Sequence, residues 1–308
     1  MVTHGCGRRF FGSSIAAWIL AAWALPLLAN STALAEENGL SQIAHLTPEQ
    51  VQEAQKKANR GDRVSEAILA IAYERGIHVP KSDAESAKWY RKLAENGSSD
   101  AQNRMGIFYQ QGSGVAQSYT QAAEWFQKAA SMGNEAAQSN LATLYLHGWG
   151  VAQNFEQAAK WYEVAARQGN PTAQNNLAYL YSQGQGVAVD KLQAVHWYRE
   201  SAKQGNGMAA VNLGLMYEEG ASGPPDEPEA LRWFATAADL GEGRGFSNEA
   251  RLYMFGKQIP HDFARAYELL RDAIAHGDEV VRPWLGKCQE QMAKSHRQQV
   301  EAKAVATQ

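Results

Sequence analysis

Four asparagines stand 36 residues apart, at Asn140, Asn176, Asn212 and Asn248, and Arg104 holds the same place one period earlier. A side-chain amide both donates and accepts, so a ladder of amides can hold a peptide backbone without reading its sequence. Two further rows run beside it at the same period: Ile107, Thr143, Tyr179, Leu215 and Arg251, then Gln111, His147, Gln183, Glu219 and Phe255. These rows are the candidate partner-binding surface, and variable members such as Tyr179, His147 and Arg251 would set its specificity. The same asparagines can instead bond to neighbouring helix ends and stabilise the stack.

Catalytic chemistry finds no comparable pattern. His4, His45, His78, His147, His196, His261, His276 and His296 are scattered, and none pairs at i,i+4 with an acid between, as a helical metal site requires. Cys288 lies between Lys287 and Gln289 with no base indicated by sequence, and reads as a buried structural thiol. No G-x-S-x-G elbow or phosphate-binding loop occurs; the recurring G-x-G ends a helix instead of opening one after a strand. The expectation is therefore no catalytic residue, no metal and no cofactor.

Arg8 and Arg9 precede a 14-residue apolar run, Ile15 to Leu28, and Ala33-Leu34-Ala35 follows. That is the layout of a cleavable signal peptide over residues 1–35, cut after Ala35, with a run short for a membrane span. Arg8-Arg9-Phe10-Phe11 is a weak twin-arginine signal beside the general secretory route. Cleavage would remove Cys6 and leave a chain of net charge −5, mildly acidic and without the basic stripe of a nucleic-acid binder. The expected location is the periplasm, with no membrane span after cleavage.

The elements that position the three rows are also periodic. Tyr73, Tyr109, Tyr145, Tyr181, Tyr217 and Tyr253 recur every 36 residues, as do Trp89, Trp125, Trp161, Trp197 and Trp233, with Leu269 in the sixth place. Glycines at 61, 97, 133, 169, 205, 241 and 277 mark the joints, so six units fill residues 61–277. A length of 308 would otherwise suggest about two domains of ~150 residues, but repeats add length without adding separate cores. Each unit reads as two helices. In the first, Ala137, Leu141 and Tyr145 form one stripe, ended by Gly148 and Gly150. The second starts at Ser82, Ser118, Asn154, Asp190, Asp226 or Asp262, all preferred N-caps. The tryptophans are expected to be buried between helices. Residues 36–60 hold a linker and a capping helix begun by Thr47, Pro48 and Gln50, and residues 278–308 form a polar capping helix and tail.

The pattern A-x-x-x-[LM]-[GA]-x-x-Y-x-x-G-x-G-V, then A-x-x-W-[YF]-x-x-[AS]-A-x-x-G, resembles the Sel-1-like repeat family. Residues 101–133, 137–169 and 173–205 match it nearly position by position. The units near Ser65 and Ala209 depart, the latter with Gly223-Pro224-Pro225 in its turn. The period separates it from the related tetratricopeptide repeat of 34. The resemblance covers about residues 47–277. It implies an all-α, right-handed α-solenoid with a concave face lined by the first helices, and work as an adaptor for a protein or peptide partner.

The leading expectation is thus an exported scaffold that binds a partner protein on that face and regulates an envelope sensor or assembly. An immunity-type inhibitor of a periplasmic toxin is a narrower version. A β-lactam or cell-wall hydrolase is the enzymatic alternative, but relatives linked to that chemistry carry paired cysteines that these repeats lack. Glycan binding through the tryptophans is a third reading. Oligomeric state is not legible.

Overall fold

A computed structural model describes residues 46–306, with side chains described to residue 299. The signal peptide and its Ala35 cut site, Cys6, His4, His45 and most of the linker lie outside the described residues. The rest is helical, with no strand among the described residues. Helix α1 (Pro48–Ala58) is followed by six helix pairs: α2 (Arg63–Arg75) and α3 (Asp83–Glu95); α4 (Ser99–Gln111) and α5 (Tyr119–Ser131); α6 (Glu135–His147) and α7 (Phe155–Arg167); α8 (Pro171–Gln183) and α9 (Lys191–Lys203); α10 (Gly207–Glu218) and α11 (Glu227–Asp239); α12 (Gly243–Phe255) and α13 (Phe263–Ala275). A 3-10 turn, Glu279–Val281, leads into α14 (Arg282–Ala306). Within each of two units consecutive helices pack on one another, the arrangement of an α-solenoid. Two compact units divide at Val164 and Ala165, within α7. Among the described residues no helix is long and apolar enough to cross a membrane.

The helix boundaries follow from capping. Thr47 Oγ1 accepts from Gln50 N at 3.3 Å while Thr47 N donates to Gln50 Oε1 at 2.7 Å, the reciprocal box expected there. All six second helices are capped as their sequences require: Ser82, Ser118, Asn154, Asp190, Asp226 and Asp262 each accept from the amide three residues on. The first helices carry a second row of caps just after the joint glycines, at Asp62, Ser98, Asn134, Asn170 and Asn206. Only Glu242, in the sixth repeat, makes no such bond.

Alanines at helix crossings are fully buried, among them Ala101, Ala137, Ala158, Ala194 and Ala230. The aromatic ladder needs a correction. Trp89 is buried, but Trp125, Trp161, Trp197 and Trp233 are only half-buried. While Trp89 and Tyr90 are both buried in the first repeat, in these four the enclosed ring belongs to the following residue, at Phe126, Tyr162, Tyr198 and Phe234. That ring faces the first helix of its own repeat, whereas the tryptophan sits at the edge, where Lys128 Nζ lies 4.2 Å from the Trp125 ring centre.

A second buried row has no counterpart among the sequence-based expectations. Gln102 Nε2 donates to Ala94 O at 3.1 Å, Gln138 to Ala130 O at 3.3 Å and Gln174 to Ala166 O at 3.1 Å, each tying a first helix to the carbonyl end of the helix before it. Glu66 occupies this position in the first repeat, 3% exposed and with Oε2 unpartnered. Burial pushes its carboxyl pKa up, only partly offset by Lys92 and Arg63. A raised carboxyl contributes stability that is full below the unfolded pKa and is lost as pH rises through the folded one. Glu66→Gln is therefore expected to stabilise the protein by about 1 kcal/mol near pH 7, with a smaller gain near pH 4. Urea denaturation of both proteins at the two pH values checks this.

In the sixth repeat Glu249 replaces the usual Leu or Met, yet it is buried, with Arg265 3.6 Å away. The last apolar surface is covered by the 3-10 turn and α14 through Val281, Trp284, Leu285 and Cys288.

Candidate functional site

In the first unit the candidate rows lie on α4 and α6. The Arg104 guanidinium pairs with the Glu74 carboxylate of α2 and lies 5.1 Å from the Phe108 ring centre. Asn140 Nδ2 donates to Asn103 Oδ1 at 3.0 Å, joining the third repeat to the second. Ile107 packs against the core. Thr143 Oγ1 donates to Ser139 O at 3.0 Å and shares a 2.8 Å bond with the Tyr162 hydroxyl. Gln111 and His147 are exposed. The His147 ring stacks on Trp149 at 4.5 Å, and Tyr119 lies 5.5 Å from the same tryptophan.

The second unit repeats this arrangement with different side chains. Asn175 bridges two rungs: its Nδ2 donates to Asn176 Oδ1 at 3.1 Å and its Oδ1 accepts from Asn212 Nδ2 at 3.2 Å. Asn248 Nδ2 donates to Arg244 O at 2.8 Å, and Arg251 forms a two-pronged pair with Glu218 at 2.7 and 2.6 Å. That bonding to Glu218 raises the guanidinium pKa, so Arg251 stays charged. In contrast, Tyr179 is 44% exposed, Leu215 37% and Phe255 54%. Gln183 and Glu219 are exposed beside them, Glu219 lying 3.9 Å from Lys191.

The three rows thus form a gradient. The asparagine row and the two arginines are half-buried and spent on contacts within and between repeats. Open surface belongs to the other two rows, at Gln111, His147, Tyr179, Gln183, Leu215, Glu219 and Phe255. Asn103 and Asn175, the partners of the ladder, lie one residue before it in their own repeats and escape the sequence reading, although both are asparagine at the same period.

A family model described as Sel1 repeat matches residues 64–98, 99–134, 135–170, 171–206, 207–242 and 250–278. The chain belongs to the Sel1 repeat family. Proteins built of Sel1 repeats are protein-interaction scaffolds, generally without enzymatic activity. Among solved structures, a protective antigen of uropathogenic Escherichia coli strains that displays an SLR fold is 33% identical, with a TM-score of 0.70. The match covers 78% of this chain and 52% of that one, so this chain spans about half the length of that relative. A Sel1 repeat protein from Oxalobacter formigenes is 25% identical with a TM-score of 0.65, over 84% of this chain and 96% of that one. No functionally curated protein matches the sequence.

The chemistry within the Sel1 repeats is that of packing and recognition. Burial pushes the Tyr198 hydroxyl up to about 12 and raises the Cys288 thiol, which lies inside the core against α13 and is not poised as a thiolate. Among the described residues no group of three His, Cys, Asp or Glu side chains is placed to hold a metal ion.

Proposed function

We propose that this chain is an exported scaffold of the cell envelope, which holds a partner protein along the first helices of its Sel1 repeats. Export rests on the Arg8-Arg9 leader, the Ile15–Leu28 run and Ala33-Leu34-Ala35. The observation that carries the binding face is the exposure of Tyr179 and Leu215 at equivalent positions of adjacent repeats, on helices whose neighbouring side chains are tied down. Exposed apolar anchors rimmed by polar groups are what binding hot spots are made of. Gln183 and Glu219 supply the rim, and the Asn212–Asn175 bond keeps the two helices in fixed register, so the anchors are presented without an ordering cost.

The test is affinity capture from cells that make the protein, with the parent, a Tyr179→Ala/Leu215→Ala variant and Asn212→Ala. The double variant is expected to lose the captured protein at unchanged melting temperature. Asn212→Ala should retain it while losing about 1 kcal/mol of stability, because its amide acts between repeats. Equal capture by the double variant and the parent would remove the binding face.

A further inference from the structure

We propose that a cleft in the first unit, between α3 and the turn after α4, binds carboxylate-rich peptide segments. This site is separate from the first-helix face and stands without it. The cleft measures about 300 Å³ and is lined by Ala84, Ala87, Lys88, Arg91 and Lys92 of α3 and by Gly114 of the turn. The turn comes this close because Gly114 has no side chain: a Cβ there would lie 2.2 Å from Asp83 O.

The three cations belong to this repeat alone. The equivalent trio is Glu124, Gln127 and Lys128 in the second repeat, Lys160, Glu163 and Val164 in the third, His196, Arg199 and Glu200 in the fourth, and Arg232, Ala235 and Thr236 in the fifth. Two of the cations are held in place by aromatic side chains, although Lys92 also acts at longer range on the buried Glu66 carboxyl. Arg91 donates to the Tyr109 hydroxyl at 2.7 Å, and Lys92 Nζ sits 4.2 Å from the Trp89 ring centre. Neither forms an ion pair with a carboxylate among the described residues. Lys88 pairs with Glu85 at 3.1 Å, and Glu95 also lines the cleft, so the free charge is that of Arg91 and Lys92.

Charge and spacing select the ligand. The guanidinium fork of Arg91 and the ammonium of Lys92 suit separate carboxylates, such as an extended acidic peptide presents about 7 Å apart on one side. A phosphate dianion is less suited, because the positive end of α3 is already met by Asp83 and Glu85 and Ser82 caps its first turn. The protein's net acidity makes this basic lining a local exception that would steer an acidic segment to one place.

Fluorescence anisotropy with a labelled hexaglutamate peptide on the purified protein tests the assignment. The parent should bind hexaglutamate at least about tenfold more tightly than hexaglutamine, and more weakly as salt rises. Arg91→Gln/Lys92→Gln should lose about tenfold or more, and Lys88→Gln/Lys92→Gln, which leaves the Arg91–Tyr109 bond intact, should also weaken binding. Lys128→Gln, the equivalent of Lys92 one repeat on, should bind as the parent does. Affinity unchanged in the folded Arg91→Gln/Lys92→Gln variant, or equal for the two peptides, would overturn the proposal. Displacement of the peptide by inorganic phosphate at concentrations where acetate has no effect would overturn the carboxylate assignment.

Discussion

Gly114→Ala is expected to cost about 3 kcal/mol or more, enough to leave the first unit marginal. Two penalties combine. Gly114 has φ of 69°, where an L-residue pays about 1–2 kcal/mol. The added methyl would also lie 2.2 Å from the carbonyl oxygen of Asp83, backbone that cannot swing aside as a flexible side chain does. Gly133 separates the two terms: its φ is 89°, yet a methyl added there would have nothing within 4 Å. Gly133→Ala should therefore lose only the conformational part. Urea unfolding of the two variants measures the difference, and equal losses would show that the approach of the G-x-G turn to the preceding helix is not tight.

Gly106→Ala is expected to cost about 2–3 kcal/mol for a related reason. A methyl at Gly106 would fall 2.4 Å from the Phe126 ring, and Gly214 stands in the same relation to Phe234 at 2.5 Å. Where the first helix carries alanine at this position, as at Ala70, Ala142 and Ala178, the facing ring is tyrosine, at Tyr90, Tyr162 and Tyr198. Its hydroxyl has a polar partner: Glu74 for Tyr90 at 3.1 Å and Thr143 for Tyr162 at 2.8 Å. Importing the whole set, Gly106→Ala with Ile107→Thr and Phe126→Tyr, should recover much of the stability that Gly106→Ala loses. Thermal unfolding of the single and triple variants decides it. A triple variant no more stable than the single one would mean that the residue types do not act as a set.

Period, helix pairing and helix starts are legible in the sequence because each depends on neighbours along the chain. Ser82 or Asn154 caps its own helix, and Gly148 ends one, whatever the rest of the chain does. Contacts between repeats are less legible. Asn140 reaches Asn103 and Arg251 reaches Glu218, and those pairings depend on how far each repeat turns relative to the last. The helical wheel places Trp161 and Tyr162 on one apolar face, but it cannot tell the edge ring from the enclosed ring. That distinction is set by the distance to the first helix. Exposure along the candidate face follows the same logic: Tyr179 and Leu215 stand open while the asparagines beside them are engaged. Glu66 is invisible for a simpler reason. It is one acidic letter in a row of glutamines, and only its burial gives it meaning.

On the proposed function, the first helices of the Sel1 repeats carry the partner. Hydrogen exchange of the protein alone and with its captured partner tests this most directly. Added protection is expected in residues 176–183 and 212–219, with little change along the second helices α9 and α11. Protection confined to α9 and α11, with the first helices unchanged, would contradict it.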